Sequence, residues 1–220
     1  MKQGVGQLPI QVSNPDKVFW PEEGYTKLDL IGFYSGMFPK LRPYVDDRIM
    51  TMERCPDGMR GKCFYQKEMP RGMPPGTPVT PIQNVDSSRK STNYVVGGSL
   101  KTQLALVNLG CLAVHVSGSR AKRFPKPDWM CIDIDPSSGE FGDAARAAIH
   151  VKDALDNLGL VSFAKTSGSR GLHVFVPLRV GPTADEVLKF AERLVARIAA
   201  AHPKELTQFF PATRTTHSVG

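Results

Sequence analysis

The residue types best placed for chemistry are two aspartates, Asp133 and Asp135, which close the apolar run WMCIDID that begins at Trp129. On a strand, side chains two positions apart point to the same face. Two carboxylates so placed repel each other unless a proton or cation intervenes. Hard oxygen donors of this kind suit Mg²⁺ or Mn²⁺, and such ions drive phosphoryl and nucleotidyl transfer. The competing reading is a strand end whose acids face solvent, because the pattern is short and common. Further along, the run KTSGSRGLH from Lys165 to His173 is a Gly/Ser loop with basic and hydroxyl groups at both ends. Gly168 and Gly171 permit tight turns that aim amide N–H groups at an anion. Ser167, Arg170 and His173 add donors for a triphosphate. An ordinary hairpin loop has the same composition, but an acid-bearing strand, a helix and then this loop would share one rim if the strands are adjacent.

Other candidates are weaker singly. Phe64 and Tyr65 are an aromatic pair beside Lys67, and an exposed ring there could stack on a nucleobase. A core aromatic next to a surface lysine fits that segment equally well. His115 lies in an apolar strand, where a lone histidine is more often a satisfied core residue. Lys17 and Lys27 flank Trp20-Pro21 and a glycine turn, and two lysines near a helix N-terminus could hold a phosphate. The four cysteines are Cys55, Cys63, Cys111 and Cys131, with no Cys-x-x-Cys pair. A zinc site from Cys55, Cys63, Cys111 and His115 matches no common spacing, so free thiols in a reducing compartment are expected, with Cys111 and Cys131 as small hydrophobes in strands.

The elements that must position these groups can be read from caps and periodicity. Thr26-Lys27-Leu28-Asp29 has the form of a capping box, followed by Leu30, Tyr34, Met37 and Leu41 at helical spacing with Phe33 beside them. Pro39 is expected to end or kink that helix. Two strand-like runs between Arg48 and Lys67 flank Pro56-Asp57-Gly58 and predict a hairpin. Glu68 to Gly98 reads as a long Pro/Gly/Ser/Asn-rich connection, functional or mobile. Ser99 opens a short helix with Leu100, Leu104 and Val107, then come the strand CLAVHV and a basic loop from Arg120 to Lys126. The second half predicts a buried strand from Trp129 to Asp135, and a helix from Phe141 to Leu158 with its alanines and Ile149, Leu155 and Leu158 inward and Gly159 as its stop. Strands at Val161 to Thr166 and Leu172 to Leu178 follow, then a capping box at Thr183 and a helix to about His202. This order implies an α/β or α+β sheet covered by helices, with an N-terminal lobe.

Composition sets the outer bounds. The 220 residues carry 28 Lys+Arg against 21 Asp+Glu, a net +7, with 41% hydrophobic residues. That suits a globular chain of one large or two small domains and argues against global disorder. The basic excess hints at a polyanionic partner. No apolar run approaches the ~20 residues of a membrane span, and no h-region of a secretory signal opens the chain.

The segments NPDKVFWPEEGYTKLDL, RCPDGMRGKCFYQK, LAVHV, PDWMCIDIDP and LGLVSFAKTSGSRGLHVFVPL occur in that order. Together they resemble the polymerase (primase-like) domain of bacterial DNA ligase D, of the archaeo-eukaryotic primase superfamily, from about Asn14 to His202. The resemblance implies a primase-like palm, an antiparallel or mixed sheet covered by helices, in a single domain over 1–220, with an N-terminal lobe over 1–98 and the catalytic core over 99–220. It implies a nucleotidyltransferase that fills DNA ends in double-strand break repair by non-homologous end joining, using dNTP or rNTP. In that pattern Asp133 and Asp135 bind the catalytic Mn²⁺ or Mg²⁺. Lys165, Ser167, Arg170 and His173 lie in the triphosphate loop, with His115 close to it. Phe64 and Tyr65 stack, Lys67 lies beside the template path, and Lys17 and Lys27 recognise a 5′-phosphate at a DNA end. The Glu68 to Gly98 loop corresponds to one that brings two ends together. Implied surroundings are a Ku-like protein, ligase or nuclease modules, no membrane, and a cytoplasmic, nucleoid-associated location.

One departure stands out. The family pattern has a further strand after the last helix, with a third metal-binding aspartate in a segment like DYLQN. No aspartate follows Asp185 here, and Asp185 opens a helix. The final palm strand is therefore expected to be missing and the open edge to be covered by FFPATRTTHSVG or a partner. The expectation is a chain that binds nucleotide and DNA ends better than it polymerises, unless an acid such as Glu205 replaces the third carboxylate. The rival reading is a catalytically weakened end-binding or synapsis module, and a more distant one is a metal-dependent phosphohydrolase.

Overall fold

The computed structural model describes residues 8–84, 90–203 and 205–206. Antiparallel sheets and α-helices alternate in a mixed α/β fold that divides into two compact units, one through Ser117 and one beginning at Gly118. The division falls inside strand β7 (Cys111–Arg120), later than the 98/99 boundary expected from sequence. The short helix after Ser99 and most of β7 thus belong with the N-terminal unit.

In the first unit, β1 (Val18–Trp20) and β2 (Tyr25–Thr26) lead into α1 (Lys27–Val45). The capping box forms: Thr26 Oγ1 accepts from the Asp29 N–H, and the Asp29 carboxylate accepts from the Thr26 N–H at 2.8 Å. The helix runs on through Pro39 and Pro43. Its buried residues include Leu30, Ile31, Phe38 and Val45, whereas Met37 and Phe33 are exposed. The inward stripe is therefore rotated from the expected one, because Ile31 and Phe38 fit the hydrophobic clusters that the sheet and next helix provide.

The predicted hairpin is β3 (Arg48–Arg54) paired antiparallel with β4 (Phe64–Gln66), with Glu53 opposite Tyr65. Its loop is closed by a Cys55–Cys63 disulfide with Cα atoms 4.2 Å apart, which overturns both the free-thiol expectation for these two residues and the zinc set. The chain from Glu68 to Gly98 is not a bare connection: β5 (Val79–Gln83) and β6 (Ser91–Val96) pair antiparallel within it, and β6 joins β3 through Ile49–Val96 and Met50–Val95. Ser99 caps α2 (Leu100–Asn108) by accepting from the Thr102 N–H at 3.0 Å. Met50, Met52, Val95, Leu106 and Cys111 are buried between α1, α2 and this sheet, each large side chain contributing about 1.5–3 kcal/mol. Burial also pushes the Cys111 thiol up to about 12.

The second unit has β8 (Trp129–Ile134), α3 (Phe141–Asp156), β9 (Phe163–Thr166), β10 (Leu172–Pro177) and α4 (Ala184–Ala201). The strands form an antiparallel sheet in the order β8-β10-β9. Strand alternation sorts its side chains. Met130, Ile132, Leu172, Val174 and Val176 are buried against Ala144, Ala148, Val151 and Leu155 of α3 and Leu194 and Ile198 of α4. The expected wholly buried strand at Trp129 is thus buried on one face only, and Cys131 is exposed on the other. The α3 stripe uses small alanines that approach the sheet closely, which turns Ile149 and Leu158 outward against expectation. Thr183 and Glu186 form the second capping box. The FFPATRTTHSVG segment and any edge it covers lie outside the described residues. Among those described, no helix is long and apolar enough to cross a membrane.

Candidate active site and nucleic-acid interface

The alternation that buries Met130 and Ile132 leaves Asp133 on the open face of the three-stranded sheet, with its side chain 64% exposed. The register sets Asp133 opposite His173, and His173 opposite Lys165, so one row crosses all three strands. His173 Nε2 lies 3.3 Å from Asp133 Oδ1. Asp135 sits just past the end of β8, where the strand meets the Gly/Ser loop.

Gly171 shows how tightly that meeting is made. A Cβ at this position would come 2.6 Å from the Ile134 carbonyl oxygen, 2.7 Å from Asp135 Oδ1 and 3.3 Å from Ser167 Oγ. Only glycine lets the carboxylate and the hydroxyl lie against the same backbone atom. The Ser167 N–H donates to the Gly171 carbonyl at 3.1 Å, closing the turn, and Gly168 takes the left-handed φ of +101°. Ser167 Oγ accepts from the Gly171 N–H at 3.2 Å and the Ser169 N–H at 3.4 Å. A hydroxyl has two lone pairs and one proton. With both lone pairs engaged, its proton is the group left to donate outward. Arg170 folds over Gly139, where an added Cβ would sit 2.7 Å from Arg170 Nη1. The second unit therefore gathers Asp133, Asp135, Lys165, Ser167, Arg170 and His173 at one end of its sheet. Gly139 escaped the sequence reading, although a glycine four residues after Asp135 could have signalled a close approach.

The remaining candidates belong to the first unit. Tyr65 is 66% and Phe64 40% exposed, so neither is a core aromatic. As neighbours on β4 they point to opposite faces. The Arg54 guanidinium lies 5.5 Å from the centre of the Phe64 ring, and Tyr65 makes an edge contact with His115 at 5.3 Å between centroids. His115 Nε2 is shielded, with Glu53 Oε2 at 3.7 Å, beyond hydrogen-bond distance. Lys67 is exposed.

Lys17 and Lys27 are close enough to affect one another, but they differ. Lys27 is buried, and its Nζ donates to the Ser13 carbonyl at 2.7 Å, the Asn108 carbonyl at 3.0 Å and Ser13 Oγ at 3.4 Å. Burial and then the charge of Lys17 hold its pKa below the usual lysine value. Lys17 is half-buried and donates to Asp57 Oδ1 at 2.8 Å. Glu53 and Arg54 were not singled out in the sequence and Asp57 was read only as a turn residue, because their partners His115, Leu109 and Lys17 lie far along the chain. A cavity of about 240 Å³ between Ile10, Gly72 and Ala105 includes none of the sequence candidates.

The comparisons with known proteins agree on one group. A model of the LigD primase-polymerase domain matches residues 26–217. The chain is 28% identical over 210 residues to the multifunctional non-homologous end joining DNA repair protein LigD of Mycobacterium tuberculosis, covering 90% of this chain and 27% of that protein. It is 29% identical over 200 residues to the bifunctional non-homologous end joining protein LigD of Bacillus subtilis, covering 90% of this chain and 31% of that protein. The chain thus spans less than a third of these curated relatives. Among solved structures, the polymerase domain of Mycobacterium tuberculosis ligase D in complex with DNA matches with a TM-score of 0.84 at 26% identity, covering 93% of this chain and 73% of that one.

Proposed function

The chain belongs to the LigD primase-polymerase domain family, and we propose that it performs template-directed nucleotidyl transfer at DNA ends during non-homologous end joining, with dNTP or rNTP as substrate. The observation that carries this reading is the packing of Asp135, Ser167 and Gly171 against one another beside the Asp133–His173 pair.

In this reading the Ser167 hydroxyl and the Arg170 guanidinium bind the triphosphate, each as a donor to phosphate oxygen. Lys165 adds a positive charge to the same row. His173 fixes the Asp133 carboxylate through Nε2. Asp133 and Asp135 are the residues that would hold a divalent cation. Their hard, exposed oxygens, with an imidazole as the protein partner of Asp133, fit Mn²⁺ or Mg²⁺. When bound, such an ion supplies charge neutralisation at the phosphates and polarisation of the attacking hydroxyl. Positioning and electrostatics account for most of catalysis in phosphoryl transfer.

The first unit is proposed to hold DNA. The exposed Tyr65 ring stacks on a base, worth about 1–3 kcal/mol, while Phe64 serves the other face of the hairpin and Lys67 the backbone. Lys17 meets a 5′-phosphate in exchange for Asp57. Lys27 adds its charge, with its protons already committed to the protein. The β5–β6 hairpin takes the end-bridging role. A Ku-like protein and ligase or nuclease modules, in a cytoplasmic, nucleoid-associated setting, are the proposed surroundings.

Among the described residues, the rim carries two carboxylates, Asp133 and Asp135. Glu205 does not complete it: it bonds His150 on α3, and α3 covers the opposite sheet face from Asp133. These 220 residues are therefore proposed to bind nucleotide and DNA ends more strongly than they extend a primer. The test is primer extension on a gapped duplex with Mn²⁺. Slow incorporation dependent on template and Asp133 is expected, and phosphate release independent of primer and template would overturn the reading.

A further inference from the structure

We propose that His150, His202 and Glu205 form a binding site for a transition-metal cation of the Zn²⁺ type, distinct from the Asp133–Asp135 pair. The three donors come from different places in the second unit. His150 is on α3, His202 is the C-terminal cap of α4, and Glu205 lies in the turn that follows. That turn is built rather than loose. The His202 carbonyl accepts from the Glu205 N–H at 3.1 Å and the Leu206 N–H at 3.0 Å, and Leu206 packs against the core of the unit. The turn brings Glu205 back to α3, where its Oε2 lies 3.1 Å from His150 Nε2. The two imidazoles stack with centroids 3.7 Å apart and planes at 24°.

One ligand atom from each residue lies within 4.8 Å of the others. Tetrahedral zinc with nitrogen and oxygen ligands needs separations of about 3.4 Å, so modest rotation about the side-chain bonds closes the set. Two imidazoles and a carboxylate are a borderline donor set suited to Zn²⁺, whereas the all-oxygen Asp133–Asp135 pair suits Mg²⁺ or Mn²⁺. Three protein ligands leave the fourth position for water. Both histidines are half-buried, and the Glu205 side chain is 50% exposed, so an ion can reach them. Arg146, one turn before His150, is engaged by Asp143 through Oδ1. Bound there, the ion would tie α3 to the segment leaving α4, behind the sheet face that bears Asp133.

The experiment uses untagged protein carrying Asp133→Asn and Asp135→Asn, titrated with Zn²⁺ by calorimetry. One ion per chain is expected to bind, and His150→Ala or His202→Ala, added singly, is expected to abolish it. Circular dichroism checks that each variant is folded, and Glu205→Gln offers a milder change expected to weaken the same site. In the unaltered protein, Zn²⁺ is expected to shift the imidazole NMR signals of His150 and His202 among the five histidines. The proposal is overturned if the Asp-substituted protein binds no Zn²⁺, if binding survives loss of both histidines, or if Zn²⁺ shifts other histidines instead.

Discussion

The aspartate pair of the second unit and the lysine pair of the first present the same sequence signal, two like charges near the end of an element, and the structure treats them oppositely. Asp133 and Asp135 project from an open sheet end, with an imidazole 3.3 Å away from one and a glycine making room for the other. Lys27 is buried, with its ammonium aimed at Ser13 and Asn108, and Lys17 leans on Asp57. A like-charged pair is available for a ligand to the extent that the protein has not already satisfied it. By that measure the carboxylates are poised for chemistry, Lys17 is exchangeable, and Lys27 is chiefly an anchor between the N-terminal segment and α2.

The largest expected effect sharpens this contrast. Asp133→Asn with Asp135→Asn should cut Mn²⁺-dependent incorporation by about 10²–10³-fold or more, with melting temperature little changed, since both groups are exposed. A large loss of stability would show that the carboxylates are structural. Next, Cys55→Ser with Cys63→Ser should cost about 2–3 kcal/mol by denaturant unfolding, because the disulfide closes a short loop. It should also weaken DNA binding by the hairpin that carries Phe64 and Tyr65. Gly171→Ala should cost about 1–3 kcal/mol, because its methyl group meets the Ile134 carbonyl oxygen and Asp135. Nucleotide affinity should fall with it, and unchanged affinity would mean that the packing at Gly171 does not shape the site.

The lysines provide the smaller, opposed pair of outcomes. Lys27→Met should destabilise by about 1–3 kcal/mol, since it leaves the Ser13 and Asn108 carbonyls without their donor. Lys17→Ala breaks a surface ion pair worth about 0–1 kcal/mol. Its effect should appear in DNA binding instead, as a lost preference for 5′-phosphate over 5′-hydroxyl ends and a salt slope reduced by about one. Reversal of these two phenotypes would invert the assignment.

The caps, the hairpin and the order of strands and helices in the second unit were legible, because Thr26, Ser99, Thr183 and Pro56-Asp57-Gly58 act locally. The row Asp133–His173–Lys165 was legible in its members but not in its register, which depends on pairing across β10. What the sequence hid is non-local. The Cys55–Cys63 bond, the commitment of Lys27 to Asn108 and the clasp of Arg170 over Gly139 each join positions whose types alone carry no partner information. Of the inward stripe expected for α3, the alanines and Leu155 are buried, whereas Ile149 and Leu158 face outward, because small alanines fill the face that approaches the sheet closely.

The rim formed by Asp133, Asp135 and the Ser167–Gly171 loop is proposed to bind a nucleoside triphosphate together with a divalent cation. Equilibrium binding of a labelled nucleoside triphosphate, titrated with and without Mn²⁺, tests this most directly. Mn²⁺-dependent binding is expected, lost in the Asp133→Asn, Asp135→Asn double variant and weakened by Arg170→Ala. Binding of equal strength in all three proteins, with or without Mn²⁺, would contradict it.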